Sequence, residues 1–168
     1  KLYALADASL KERVQIDLMD LPVETTKEEI QAKLLNGKYD AVGLSCYIWS
    51  TDDLFTATAG FFEKNKDAVI FAGGPDVSPR AETMLVRYPF LQFVAEGEGE
   101  ESFRLWLRRI VKLDEDDWQE TPGLILRKGG KVCTNPSAPP VDLNSVPPIL
   151  DEEGFTEKNP NWLYIESS

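Results

Sequence analysis

Short apolar runs alternate with amphipathic stretches through most of the chain, and that alternation restricts it to a small set of folds. Tyr39-Asp40-Ala41-Val42-Gly43-Leu44-Ser45-Cys46, Ala68-Val69-Ile70-Phe71-Ala72 and Phe90-Leu91-Gln92-Phe93-Val94-Ala95 are nearly continuous in apolar residues, as strands covered on both faces are. Val14-Gln15-Ile16-Asp17-Leu18-Met19-Asp20 alternates apolar and polar and reads as a fourth strand ahead of them. Between the runs lie helix signals. Thr26 with Glu29 forms a capping box before Ile30, Leu34 and Leu35, and Gly37 can end that helix. Ser50 or Thr51 can cap a helix with Asp52 and Asp53 in its first turn. Ser78-Pro79 starts another, closed by Pro89, and Glu100 to Lys112 forms a last one with Phe103, Leu107 and Ile110 inward.

Parallel strands joined through helices need right-handed crossovers. The expected fold is therefore α/β, a flavodoxin-like or Rossmann-like parallel sheet with helices on both faces. Four strands are counted where a flavodoxin-like sheet normally has five. The chain opens on what would be the first helix, with Leu2, Leu5, Ala6, Ser9 and Leu10 on one face. The missing strand is expected upstream of Lys1, and without it a hole or a non-standard replacement must follow.

From Asp114 the composition shifts. Gly123-Leu124-Ile125-Leu126-Arg127 and Lys131-Val132-Cys133 flank Lys128-Gly129-Gly130, a hairpin pattern. Pro136, Pro139, Pro140, Pro147 and Pro148 then mark an extended linker. The expected organisation is an α/β domain over 1–113, hairpin and linker over 114–150, and the start of a further unit over 151–168. The chain reads as a piece of something longer.

The 168 residues carry 18 Lys and Arg against 29 Asp and Glu, a net charge of −11. That balance argues against nucleic acid, whose binding relies on clustered cations. No histidine occurs, which removes His-based triads, zinc sites and general bases from this chain. Cys46 and Cys133 are far apart and in no ligand spacing, so a reducing, cytoplasmic setting is expected and no cysteine metal cluster. No apolar run approaches the ~18 residues of a membrane span.

Ligands of open parallel sheets bind at the carboxyl ends of the strands. Three segments sit there: Ser45-Cys46-Tyr47-Ile48-Trp49-Ser50, Gly73-Gly74-Pro75-Asp76-Val77-Ser78 and Glu96-Gly97-Glu98-Gly99-Glu100. Each has a plainer reading. Gly73-Gly74-Pro75 serves as a tight turn, Cys46 as a small buried hydrophobe, Tyr47 and Trp49 as covers for the core, and the glutamates as a solvated helix start. Neither glycine segment matches a dinucleotide or phosphate-loop fingerprint.

Taken in order and at this spacing, the segments resemble the cobalamin-binding domain of cobalamin-dependent radical SAM enzymes. The pair Gly73-Gly74-Pro75 and Gly97-Glu98-Gly99-Glu100 carries most of the likeness, which covers most of the chain. The resemblance implies a cobalamin across the carboxyl edge of the sheet. Ser45 would bond its nucleotide tail, and Gly73, Gly74 and Gly97 would give access to backbone. Tyr47, Ile48 and Trp49 would pack near the corrin, and Pro75, Asp76 and Val77 would border the tail cavity. Cys46, Glu96 and Glu98 complete the implied binding set, with no catalytic residue and no metal ligand of the protein's own.

Methionine-synthase-like relatives carry Asp-x-His-x-x-Gly, whose His binds cobalt; this chain has no such His, as radical SAM relatives commonly do not. Trp162-Leu163-Tyr164-Ile165 is similar to the first strand of a radical SAM barrel, just ahead of a Cys-x3-Cys-x2-Cys motif that this chain does not contain. S-adenosylmethionine and a [4Fe-4S] cluster are thus implied for the full-length protein only, whose radical SAM domain would be the partner of this module. The fragment alone is expected to be inactive, and the full enzyme to transfer methyl groups or carry out another radical modification. The alternative is a flavodoxin-like scaffold, or a metal-dependent domain built on Glu96, Glu98 and Glu100, that does not bind cobalamin.

Overall fold

A computed structural model describes residues 7–141. Three parallel strands, β1 (Ala41–Ser45), β2 (Val69–Gly73) and β3 (Leu91–Ala95), lie side by side, and β4 (Leu124–Lys128) and β5 (Lys131–Thr134) continue the sheet antiparallel in the order β1-β2-β3-β4-β5. Among the described residues the α-helices are α1 (Ala8–Lys11), α2 (Lys27–Asn36), α3 (Thr51–Lys64), α4 (Ala81–Arg87) and α5 (Glu100–Ile110).

The alternation of side chains along the strands divides the core in two. Val42, Leu44, Ile70, Ala72, Val94 and Ile125 face α2, α3 and α4. On the other face, Phe93, Leu124 and Leu126 join Leu10 of α1 and Trp106 and Leu107 of α5. Phe71 stacks on Phe93 at 4.9 Å and meets Trp106 at 5.0 Å between centroids. Helices therefore cover both faces, as expected.

Local signals explain most boundaries. Thr26 and Glu29 close the capping box at α2, with Thr26 N–H donating to the Glu29 carboxylate at 2.9 Å. Gly37 ends α2 in extended rather than left-handed backbone. Pro79 sits in a single 3-10 turn, Ser78–Arg80, that leads into α4. Ser50 holds the N-cap position of α3 without capping it, because its hydroxyl is engaged with Tyr47 backbone groups.

Three expectations are corrected. Val14–Asp20 is not a strand: none of the backbone groups of residues 15–21 pairs with backbone elsewhere among the described residues. The sheet is mixed rather than parallel, because the hairpin does not follow it as an appendage but extends it, through Phe93↔Leu126 and Ala95↔Leu124. On α5 Leu107 is buried and Phe103 packs against the same core as expected, but Trp106 is the largest buried side chain there and Ile110 lies exposed. The predicted linker is described only through Val141, and Trp162–Ile165 lie outside the described residues. Among the described residues no helix is long and apolar enough to cross a membrane.

Candidate functional site

The carboxyl ends of β1, β2 and β3 lie on one edge because all three run the same way. Ser45 is paired in register with Gly73. Beyond Gly73, the position a Cβ would take is 3.7 Å from the Cβ of Ala95, ordinary contact distance. Ser45, Gly73 and Ala95 thus form a row of small residues on the face that α5 covers further back. One step deeper, the Phe71 ring occupies the space a Cβ on Gly43 would need, only 2.5 Å from the built position. The result is a bare-floored trough with an aromatic back wall.

Two loops rim it. After β2, Gly74 has φ +112°, and a Cβ there would fall 2.6 Å from the Cys46 carbonyl oxygen. Only glycine allows the loop that close to β1. Cys46 N–H donates to the Gly73 carbonyl at 2.8 Å, and Asp76 N–H to the Cys46 carbonyl at 3.3 Å, so the two loops are joined through main chain. After β3, Gly97 has φ +66° with nothing within 4 Å of its absent Cβ. Its N–H donates to the Ser78 hydroxyl at 3.2 Å, tying the second loop to the first.

Tyr47, Ile48 and Trp49 project from the loop after β1 as exposed side chains, Ile48 at 82% and Trp49 at 65%. Tyr47 and Trp49 stack at 5.0 Å between centroids. Water-facing aromatics of this size beside a bare trough are an unsatisfied apolar surface. The readings as covers of the core are overturned for these residues.

The structure separates the other predicted residues by role. Cys46 and Val77 have side chains buried in the core, so what they offer the loops is backbone. Burial pushes the Cys46 thiol up to about 12, with the Asp76 charge adding to it. Its Sγ sits 3.6 Å from the Leu44 carbonyl. Asp76 faces Arg80 at 2.6 Å, and its carboxyl is held below the usual range by the Thr51 hydroxyl and then by Arg80. Pro75, Glu96 and Glu98 are exposed on the rim. Glu96, Glu98 and Glu100 do not gather: among the described residues no group of three or more His, Cys, Asp or Glu could hold a metal.

Several residues that shape the site were not anticipated. Gly43 and Ala95 set the trough's depth, and their signal was small size at alternate strand positions. Ser78 and Arg80 clamp the loops. Thr51, 1% exposed, donates its hydroxyl to the Tyr47 carbonyl at 2.9 Å and so fixes the aromatic loop to α3. Gln92 accepts the Ile70 N–H at 2.5 Å where the β2–β3 register slips.

A large, flat, amide-rich ligand wants apolar walls and exposed main-chain donors and acceptors, and this edge supplies both. The profile described as "B12 binding domain" matches residues 2–107. The chain is 30% identical over 99 residues to the cobalamin-dependent radical SAM methyltransferase TokK of Streptomyces tokunonensis, covering 59% of this chain and 14% of that protein. It is 32% identical over 91 residues to 2-(S-pantetheinyl)-carbapenam-3-carboxylate methyltransferase of Streptantibioticus cattleyicolor, covering 54% and 13%. It therefore spans about one seventh of the length of these relatives. The fold is similar to that of the cobalamin-dependent S-adenosylmethionine radical enzyme OxsB with aqua-cobalamin bound, at a TM-score of 0.68 and 24% identity over 88% of this chain and 21% of that one. It is also similar to the radical S-adenosylmethionine methyltransferase TsrM of Kitasatospora setae, at 0.60 and 17% over 83% and 27%.

Proposed function

The chain belongs to the B12-binding domain family, and from that premise we propose that its trough receives the nucleotide tail of cobalamin while the corrin lies over Tyr47, Ile48 and Trp49. The chain is a cobalamin-binding module. The observation that carries the site assignment is the row of small residues at Ser45, Gly73 and Ala95, flanked by exposed stacked aromatics. Ser45 is exposed, and its hydroxyl has no hydrogen-bond partner among the described residues, so it is available to the tail. Gly73 and Gly97 leave main chain bare on either side. Pro75 and the Asp76–Arg80 pair border the mouth, with Val77 and Cys46 holding the loop from beneath. Glu96 and Glu98 form the opposite rim.

Cobalamin, when bound, supplies the organometallic chemistry; the chain's own work is to bind it, orient it and cover its tail. In the whole protein this module is read as the partner of a radical SAM domain that uses S-adenosylmethionine and a [4Fe-4S] cluster for methyl transfer in the cytoplasm. The named activities of the similar proteins support that reading. It predicts that the whole polypeptide, its cluster reconstituted, consumes S-adenosylmethionine faster with cobalamin than without; equal consumption contradicts it.

The site assignment is tested by equilibrium titration with hydroxocobalamin. Trp49→Ala is expected to weaken binding about tenfold, or roughly 1.4 kcal/mol, as loss of an aromatic wall should. Unchanged affinity in both Trp49→Ala and Tyr47→Ala would place the corrin elsewhere.

A further inference from the structure

We propose that Thr51 is a positioning residue for the cofactor: its hydroxyl ties the aromatic loop after β1 to the glycine loop after β2, and so fixes the distance between the corrin cover and the tail site. The inference rests on the cobalamin reading above and adds to it a residue that acts through its neighbours.

Thr51 is the first residue of α3 and is 1% exposed. A hydroxyl so buried needs partners, and its partners belong to loops. It donates to the Tyr47 carbonyl at 2.9 Å. A threonine hydroxyl bonding the carbonyl four residues back is common within helices. Here that carbonyl lies ahead of α3, in the aromatic loop, and it also accepts the Ser50 and Thr51 N–H groups at 2.9 and 3.0 Å. The start of α3 therefore grips the loop at one main-chain atom. Tyr47, Ile48 and Trp49 themselves project into solvent, so the direction in which they point is set by the backbone beneath them.

The same hydroxyl engages the second loop through the Asp76 carboxyl, which it holds below the usual range. Asp76 is fixed in turn. Arg80 donates from Nε to the Asp76 carbonyl at 2.9 Å and from Nη2 to its carboxylate at 2.6 Å. Asp76 N–H donates to the Cys46 carbonyl, which is also the atom that Gly74 approaches. Cys46, Tyr47, Thr51 and Asp76 thus close a ring of contacts between the loops, and Ser78 extends it to Gly97. A hydroxyl has one proton to give, and a carbonyl and a carboxylate both face this one. Valine has the same shape and no proton, so Thr51→Val removes both ties while the Ser50 and Thr51 N–H bonds to Tyr47 remain.

The spacing matters because cobalamin is read as held at both ends, its tail beside Gly73 and its corrin over Trp49. Two tethered groups reinforce each other only when their sites lie at the distance the tether spans. A corrinoid without a tail can follow a displaced aromatic loop; one anchored by its tail cannot.

The test is to titrate hydroxocobalamin and the tail-less diaquocobinamide into the protein and its Thr51→Val and Thr51→Ser variants, with urea unfolding of each. Thr51→Ala takes the place of the valine variant if that one does not fold. The parent should prefer hydroxocobalamin; Thr51→Val should weaken hydroxocobalamin about tenfold and diaquocobinamide less than about twofold, and Thr51→Ser should bind as the parent does. Unchanged affinities in Thr51→Val, or equal weakening of both corrinoids, overturn the proposal and leave the cobalamin reading standing. A serine variant that behaves like the valine one assigns the effect to methyl packing and also overturns it. A parent that binds neither corrinoid, or both equally, overturns the tail reading and the proposal with it.

Discussion

Two glycines in the loops differ in what they do, and the difference is measurable. Gly74 combines a positive φ with a main-chain oxygen 2.6 Å from where a Cβ would sit. Gly74→Ala should therefore cost about 2–4 kcal/mol in urea unfolding, from conformational strain and steric conflict together. Gly97 has a positive φ but open space, so Gly97→Ala should cost about 1 kcal/mol. Equal costs would show that the approach of Gly74 to Cys46 is not the constraint. The Cys46 thiol, pushed up to about 12 by burial, stays protonated after an unfolded cysteine has ionised. Stability is thus unaffected by this group below about pH 8.5 and falls as pH rises beyond it. In native protein Cys133, half-buried, should react with a thiol reagent at pH 8 well before Cys46; simultaneous reaction would contradict the burial. The sequence made Cys46 legible as a small hydrophobe, but not the close approach of Gly74 to its main chain, because that depends on a contact between residues 28 apart in order.

At the scale of elements, the last helix is held by charge as well as by its aromatic face. Arg108 of α5 bonds Asp7 at 2.7 Å and Asp114 at 2.8 Å, and Arg104 reaches Asp7 and Glu101. Burial opposes ionisation of Asp7, yet Arg108 and the Ser9 amide outweigh it and hold its carboxyl below the usual range; Arg108 does the same for Asp114. Depressed carboxylates contribute stability above the unfolded value near 3.8 that is lost as pH falls through the folded values. Asp7→Asn should lower stability by about 1–2 kcal/mol at pH 7 and by much less at pH 2; thermal melts at both pH values check this, and an equal loss at both would assign the effect to packing. Strand periodicity in Val14–Asp20 was readable because alternate side chains do face two cores. What the periodicity could not show was whether a neighbour lay close enough to pair. The hairpin was readable from Gly129-Gly130, whose positive φ values fit a tight turn. Its docking on β3 was not, since the long-range pairing of Phe93 with Leu126 leaves no local trace.

For the whole molecule, the fold places three loops on one edge and leaves a bare trough between them. The parallel order of β1, β2 and β3 and the positions of the glycine loops followed from periodicity and turn chemistry. The depth of the trough did not, because it depends on Ser45, Gly73 and Ala95 lying abreast with Gly43 one step deeper. Gly73 is the position at which stability and binding can be separated. Its Cβ direction is open apart from ordinary contact with Ala95, so a longer side chain would project into the trough rather than into the core. The decisive measurement is a hydroxocobalamin titration of the protein and its Gly73→Leu variant, followed by the visible spectrum and by retention of colour through gel filtration. The structure predicts that the variant keeps its unfolding transition and loses affinity by at least about 100-fold, or roughly 2.7 kcal/mol. A Gly73→Leu protein that folds and binds cobalamin as tightly as the parent would contradict the site described here.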